Sequence, residues 1–282
     1  MLKRTIAGGD GVRLAVYEGG NSGAPPLLFI HGCSQSHRAW SRQFDSPLAA
    51  RFRLAAFDLR GHGDSDKPAG AYGDSRLWAE DVHAVITALG LEKPLLVCWS
   101  YAGVVACDYL RFFGEEAISG LVLVGAMSKV GAGLMPHLGD DLPPLLGGWL
   151  SGDPALTHPA AEAFVRLCFE KDPGAEAYDE MVAYNDVVPG HVRAGMLSRK
   201  VDNDDVLAGL RKPVLILHGE RDRVIKPTAA AEHSRTMPRA ASVLLPGLGH
   251  SPFFEDAEAF NAHLISFHPS RVGEIAADDP LY

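Results

Sequence analysis

Short runs of apolar residues recur along the chain, each bounded by glycine, proline or polar residues. They are Leu27-Leu28-Phe29-Ile30, Leu54-Ala55-Ala56-Phe57, Pro94-Leu95-Leu96-Val97, Leu121-Val122-Leu123-Val124, Val214-Leu215-Ile216-Leu217 and Ser242-Val243-Leu244-Leu245. Runs this short and apolar throughout predict strands buried on both faces. Helical patterns lie between them. From Asp74 to Leu89 the apolar residues Leu77, Val82, Val85, Ile86 and Leu89 fall on one face, and Gly90 ends the pattern. Val104 to Phe113 predicts another helix, stopped by Gly114, and a last helix is expected from Phe253 to about Phe267. Near the start, Leu14-Ala15-Val16-Tyr17 follows Gly8-Gly9-Asp10-Gly11, which predicts a hairpin. Buried strands alternating with helices imply an α/β fold: a mostly parallel sheet covered by helices on both faces.

One interval breaks this rhythm. Between the strands at 121–124 and 214–217 no further strand is evident; the helical patterns there are Ala160 to Phe169 and Ala177 to Val182. A simple connection is far shorter. The pattern predicts a core domain made of residues 1–126 and 209–282, with a helical cap, 127–208, inserted between two core strands.

Composition narrows the class. The 282 residues suit one large α/β domain with an insertion, and 47% apolar with 22% charged residues is typical of a soluble globular protein. The net charge of −9 argues against nucleic acid as a partner. No apolar run approaches the roughly 20 residues that cross a bilayer, so no membrane partner is expected. Met1-Leu2-Lys3-Arg4-Thr5 has no apolar core behind its charges, so a cytoplasmic location rather than secretion is expected. Cys33, Cys98, Cys107 and Cys168 have no ligand-type spacing, and the histidines show no paired helical spacing. Neither a metal nor another cofactor is called for. A homodimer stays open.

Candidate chemistry sits just after the strands, because ligands of an open α/β sheet bind outside the strands' C-terminal ends. Those positions hold His31-Gly32-Cys33-Ser34, Asp58 to Ser65, Ser100, His218-Gly219-Glu220-Arg221-Asp222, and Gly247-Leu248-Gly249-His250. Ser100 stands between a strand and a helix, in Cys98-Trp99-Ser100-Tyr101-Ala102-Gly103, with small residues two before and two after it. That is a nucleophile elbow in which Cys98 and Ala102 replace the usual glycines. A serine hydroxyl needs a base, and histidine suits that work; the imidazole in turn needs a carboxylate to orient it. His250 is the candidate base. Asp222 is the candidate acid, with Glu220 as its competitor and Asp202, Asp204 and Asp205 as weaker ones.

The chain resembles the α/β-hydrolase-fold superfamily over roughly residues 10 to 268. Within it, Trp99-Ser100-Tyr101 and the cap position look similar to small bacterial serine esterases and cofactor-free haloperoxidases. The resemblance implies Ser100 as nucleophile, Asp222 as acid and His250 as base. It implies an oxyanion hole made of the backbone amides of Cys33 and Tyr101, with no task for the Cys33 thiol. The Asp58 to Ser65 loop would be structural. The expected substrate is a small to medium hydrophobic acyl compound, in a pocket drawing on Trp99, Trp149, Phe164 and Met181. A lactonase, a perhydrolase, a carbon–carbon bond hydrolase or a non-catalytic receptor on the same fold are the alternatives.

Overall fold

The computed structural model describes residues 1–268. Eight strands form one sheet: β1 (Leu2–Ala7), β2 (Arg13–Gly20), β3 (Pro26–Ile30), β4 (Arg53–Phe57), β5 (Leu95–Trp99), β6 (Gly120–Val124), β7 (Val214–Gly219) and β8 (Ala241–Leu245). Their order is β1-β2-β4-β3-β5-β6-β7-β8. The β1–β2 hairpin and the β2–β4 pair are antiparallel, and every pair from β4 through β8 is parallel.

Strand alternation divides the apolar residues between two cores. Leu28, Ile30, Leu96, Cys98, Leu121 and Leu123 point to one face, where they pack with Trp78, Val82 and Val85 of the helix Ser75–Ala88. Leu27, Phe29, Val97, Trp99, Val122 and Val124 point to the other, against Trp40, Phe44 and the helix Ala257–Phe267. Such alternation is the pleat of a strand covered on both sides. The chain leaves β3 toward β4 and later returns on the opposite side of β3 as β5, so the β3 and β5 C-terminal ends flank the crevice where the strand order reverses.

The main predicted helices arise where the periodicity places them, and three departures are instructive. The helix Pro154–Leu167 begins earlier than its apolar pattern, because Asp153 caps it by accepting from the Ala155 amide (2.9 Å) and Pro154 takes the first turn. The helix Gly190–Leu197 has two glycines and no clear periodicity, and so gave no signal in the sequence. The expected last helix is two: Pro252–Glu255 and Ala257–Phe267, broken at Asp256 (φ −143°, ψ 73°), whose side chain caps the second. All four cysteines are buried and free. Among the described residues, no helix is long and apolar enough to cross a membrane.

Candidate active site

Ser100 follows β5 in the left-handed region, φ 58°, where a non-glycine residue is strained. Its neighbours hold it there. Its amide donates to the Val124 carbonyl (3.0 Å), and its own carbonyl accepts from the amides of Gly103 (3.0 Å) and Met127 (3.2 Å). The helix Ala102–Phe113 then starts, so its N-terminal end faces the serine. Across the crevice Gly32 leaves no room for a side chain: a Cβ there would stand 2.8 Å from the Ser100 Cβ.

His250 and Asp222 meet through Nδ1 and Oδ2 at 2.7 Å, both side chains fully buried. The carboxylate accepts at Oδ2, so the ring proton lies on Nδ1 and Nε2 is the basic nitrogen; Nε2 is buried with no hydrogen-bond partner among the described residues. Ser100 and His250 are therefore not hydrogen-bonded here. Catalytic contacts of this kind often close only when substrate is in place. The His250 loop is itself anchored: its carbonyl accepts from Trp99 Nε1 (2.8 Å), and Glu255 accepts from the Gly249 amide (2.7 Å).

The other oxygen of Asp222 accepts from the amides of Val224 (2.8 Å) and Ile225 (2.9 Å). His218 Nε2 donates to the Ile225 carbonyl at 2.8 Å and lies 3.2 Å from Asp222 Oδ2. Burial alone would push the Asp222 carboxyl up; the facing His250 and the hydrogen bonds from His218 and His250 outweigh it and hold the group well below the usual carboxylate range. Gly125 (φ 47°) adjoins this pair, and a Cβ there would lie 3.1 Å from both Asp222 Oδ2 and His250 Nδ1. The competing carboxylates are elsewhere. Glu220 accepts from the Gly247 amide (3.1 Å) and is half exposed, Asp202 and Asp204 pair with Lys129, and Asp205 pairs with Arg111.

Cys33 and Tyr101 flank Ser100, and among the described residues neither backbone amide has a hydrogen-bond acceptor. Cys33 sits in a turn closed by the Gln35 amide on the Gly32 carbonyl (3.2 Å), with Ser34 left-handed (φ 61°). Two histidines brace it. His31 Nε2 accepts from the Leu59 amide (3.0 Å), and His62 Nε2 accepts from the Ser34 amide (3.0 Å). Burial lowers His31 to about 4 and His62 to about 3, so both rings are neutral acceptors. The His62 ring is fully buried because it spans two loops. A further brace went unread in the sequence. Arg193, fully buried, donates to Ser34 Oγ (2.6 Å), the Trp149 carbonyl (2.7 Å) and the Asn185 carbonyl (2.7 Å). Tyr101 is tied down at its far end, donating to the Met196 carbonyl (3.1 Å) and accepting from Arg199 (3.0 Å), which also pairs with buried Asp108 (2.7 Å). The Cys33 thiol is pushed up to about 12 by burial and stays protonated.

A cavity of about 320 Å³ opens onto Ser100, Cys33 and Tyr101. Trp149, Phe164, Leu142, Val224 and Ile225 line it, no charged side chain among the described residues does, and exposed Met135 marks its mouth. Two expected lining residues are not there. Trp99 and Met181 line a separate, far smaller cavity with Phe253. The reason is the pleat: Trp99 points to the opposite sheet face from Cys98, and Met181 packs on that same face.

Among known proteins, a model described as the alpha/beta hydrolase family matches residues 27–263. The solved structure of the esterase RhEst1 from Rhodococcus sp. ECU1013 is 36% identical, covers 96% of this chain and 99% of its own, and superposes with a TM-score of 0.91. A putative aryl esterase from Burkholderia cenocepacia is 32% identical, with 96% and 100% covered and a TM-score of 0.91. A bifunctional esterase/perhydrolase from Acinetobacter calcoaceticus is 27% identical over 92% of this chain and 96% of its own.

Proposed function

The chain belongs to the alpha/beta hydrolase family, and on that premise we propose that it is a serine carboxylesterase that cleaves small to medium hydrophobic esters through an acyl-enzyme. The observation that carries this reading is a strained serine facing a helix N-terminus, beside a buried aspartate–histidine pair and an uncharged cavity. Relatives named as esterases support the same chemistry.

In this mechanism Ser100 Oγ attacks the acyl carbon while His250 Nε2 takes its proton. Ionised Asp222 steadies the imidazolium through Nδ1. The developing oxyanion takes hydrogen bonds from the Cys33 and Tyr101 amides, which need no reorganisation because their turns are already fixed. The carbon–oxygen bond to the alcohol breaks, and His250 Nε2 returns the proton to the leaving oxygen. Water then attacks the acyl-enzyme by the same route in reverse and releases the acid and free Ser100. Residues 127–208 act as a cap, shaping the cavity with Trp149 and Phe164 without supplying a catalytic group. The relative named as an esterase/perhydrolase supports a second reading on the same acyl-enzyme: hydrogen peroxide in place of water, giving a peracid.

The test is a fluorophosphonate probe and a p-nitrophenyl butyrate assay. The probe is expected on Ser100 by peptide mass spectrometry, and the Ser100→Ala protein should neither label nor turn over the ester. A wild-type protein that takes no probe and hydrolyses no ester of a chain-length panel would instead be a receptor on this fold.

A further inference from the structure

We infer that the cavity at Ser100 receives the acyl half of the substrate, not the alcohol half, so that the preferred esters join a bulky, uncharged apolar acid to a small alcohol. The assignment rests on the esterase reading and follows from which groups of the site the cavity touches. Attack fixes three directions at the reacting carbon. Its oxygen must point at the Cys33 and Tyr101 amides, and the leaving oxygen must come within hydrogen-bond reach of His250 Nε2, which reprotonates it. The acyl substituent takes the direction that remains.

The cavity opens on Ser100, Cys33 and Tyr101, and His250 is not part of its wall. The His250 ring is fully buried, backed by Trp99 at 5.4 Å between ring centres and by the Asp222 pair. A group lodged deep in the cavity thus lies against walls that include Cys33, Tyr101, Val224 and Ile225 but not His250. An alcohol lodged there would carry its oxygen away from the one unpartnered ring nitrogen that can protonate it.

Size and polarity set the acid. At about 30 Å³ for each water-sized volume, roughly ten non-hydrogen atoms fit within the cavity. The walls are aliphatic, aromatic and sulfur-bearing, with no cation to pair a second carboxylate, so a charged acid would lose its hydration without compensation. Chains longer than this must leave past Met135, at the mouth.

Two isomers of one formula separate the halves: ethyl octanoate and octyl acetate, which carry their long chain on opposite sides of the ester. Ethyl octanoate is expected to show a kcat/KM at least about tenfold higher, the scale on which one pocket discriminates by a few methylenes. Equal values, or a preference for octyl acetate, would overturn the assignment. Leu146→Phe, which fills the cavity from the wall, should shrink that ratio by lowering the octanoate value more than the octyl acetate value. A ratio unmoved by this variant would also overturn it. The esterase reading fails separately, if neither isomer is hydrolysed and Ser100 takes no fluorophosphonate.

Discussion

Asp222 and His250 face each other at 2.7 Å with both side chains removed from solvent, while Glu220, two residues earlier, lies in the half-exposed rim. Asp222→Asn should therefore lower kcat about ten-thousand-fold, because asparagine donates where the carboxylate accepts and leaves the imidazole in the wrong tautomer. Glu220→Gln should cost less than about tenfold. Steady-state kinetics of the two purified variants on p-nitrophenyl butyrate decide it, and the opposite ranking would transfer the acid role to Glu220.

Ser100 combines the proposed nucleophile with a strained backbone, and the two can be separated by substitution. Ser100→Ala and Ser100→Gly should both lose up to roughly a million-fold in kcat. Ser100→Gly should be the more stable of the two by about 1 kcal/mol, since glycine adopts φ 58° freely and alanine does not. Urea unfolding of both variants measures the difference; equal stabilities would mean that the elbow stores no strain.

Three buried histidines give the fold a pH dependence: His31 and His62, which brace the Cys33 turn, and His233, which bonds Ser128 Oγ (3.0 Å). His31 titrates near 4, His62 near 3 and His233 near 4, all lowered chiefly by burial from the usual 6.5. Between those values the unfolded chain holds protons that the folded one does not. The stabilisation is complete above about pH 6.5 and is lost as pH falls toward 4, by up to about 1.4 kcal/mol per pH unit for each ring. Urea melts at pH 7 and pH 5 should show the loss, and His62→Gln should reduce the slope. A stability that is flat across this interval would contradict neutral, buried rings.

Cap substitutions should divide by cavity. Trp149→Phe and Phe164→Leu are expected to shift the preferred acyl length, with changes of about ten- to two-hundred-fold in kcat/KM on the affected esters. Met181→Ala, on the other sheet face, should leave the chain-length profile in place and cost about 2–5 kcal/mol of stability. A profile moved by Met181→Ala and not by the other two would relocate the acyl site.

The rim positions of the candidate residues were legible because each follows a strand whose apolar run is unmistakable: Ser100 after β5, Asp222 after β7, His250 after β8. A parallel sheet sends all those ends to one side, so sequence position translated into spatial position. Trp99 misled because adjacency to Ser100 means little in a strand, where neighbours point to opposite faces. Arg193 and His62 were unreadable for another reason. What they hold is Ser34, 159 and 28 residues away in the chain, and no local pattern encodes a contact that exists only after the loops have folded over one another. The helix Gly190–Leu197 that carries Arg193 was hidden as well, since its glycines answer to close packing, Gly190 lying against the Ser151 carbonyl.

Val224 and Ile225 serve two masters: their side chains form part of the cavity wall, and their amides hold the second oxygen of Asp222. Breadth of substrate is therefore unequally available to mutation around the cavity. Elsewhere in the wall, at Leu142 or Phe164, a lineage or a directed-evolution campaign can reshape the cavity and leave the Asp222–His250 pair alone. At 224 and 225 each new side chain that pulls on the backbone also tilts Asp222, the proposed acid, so altered taste should come with altered turnover. Libraries that spare this pair should yield active variants more often than libraries that include it.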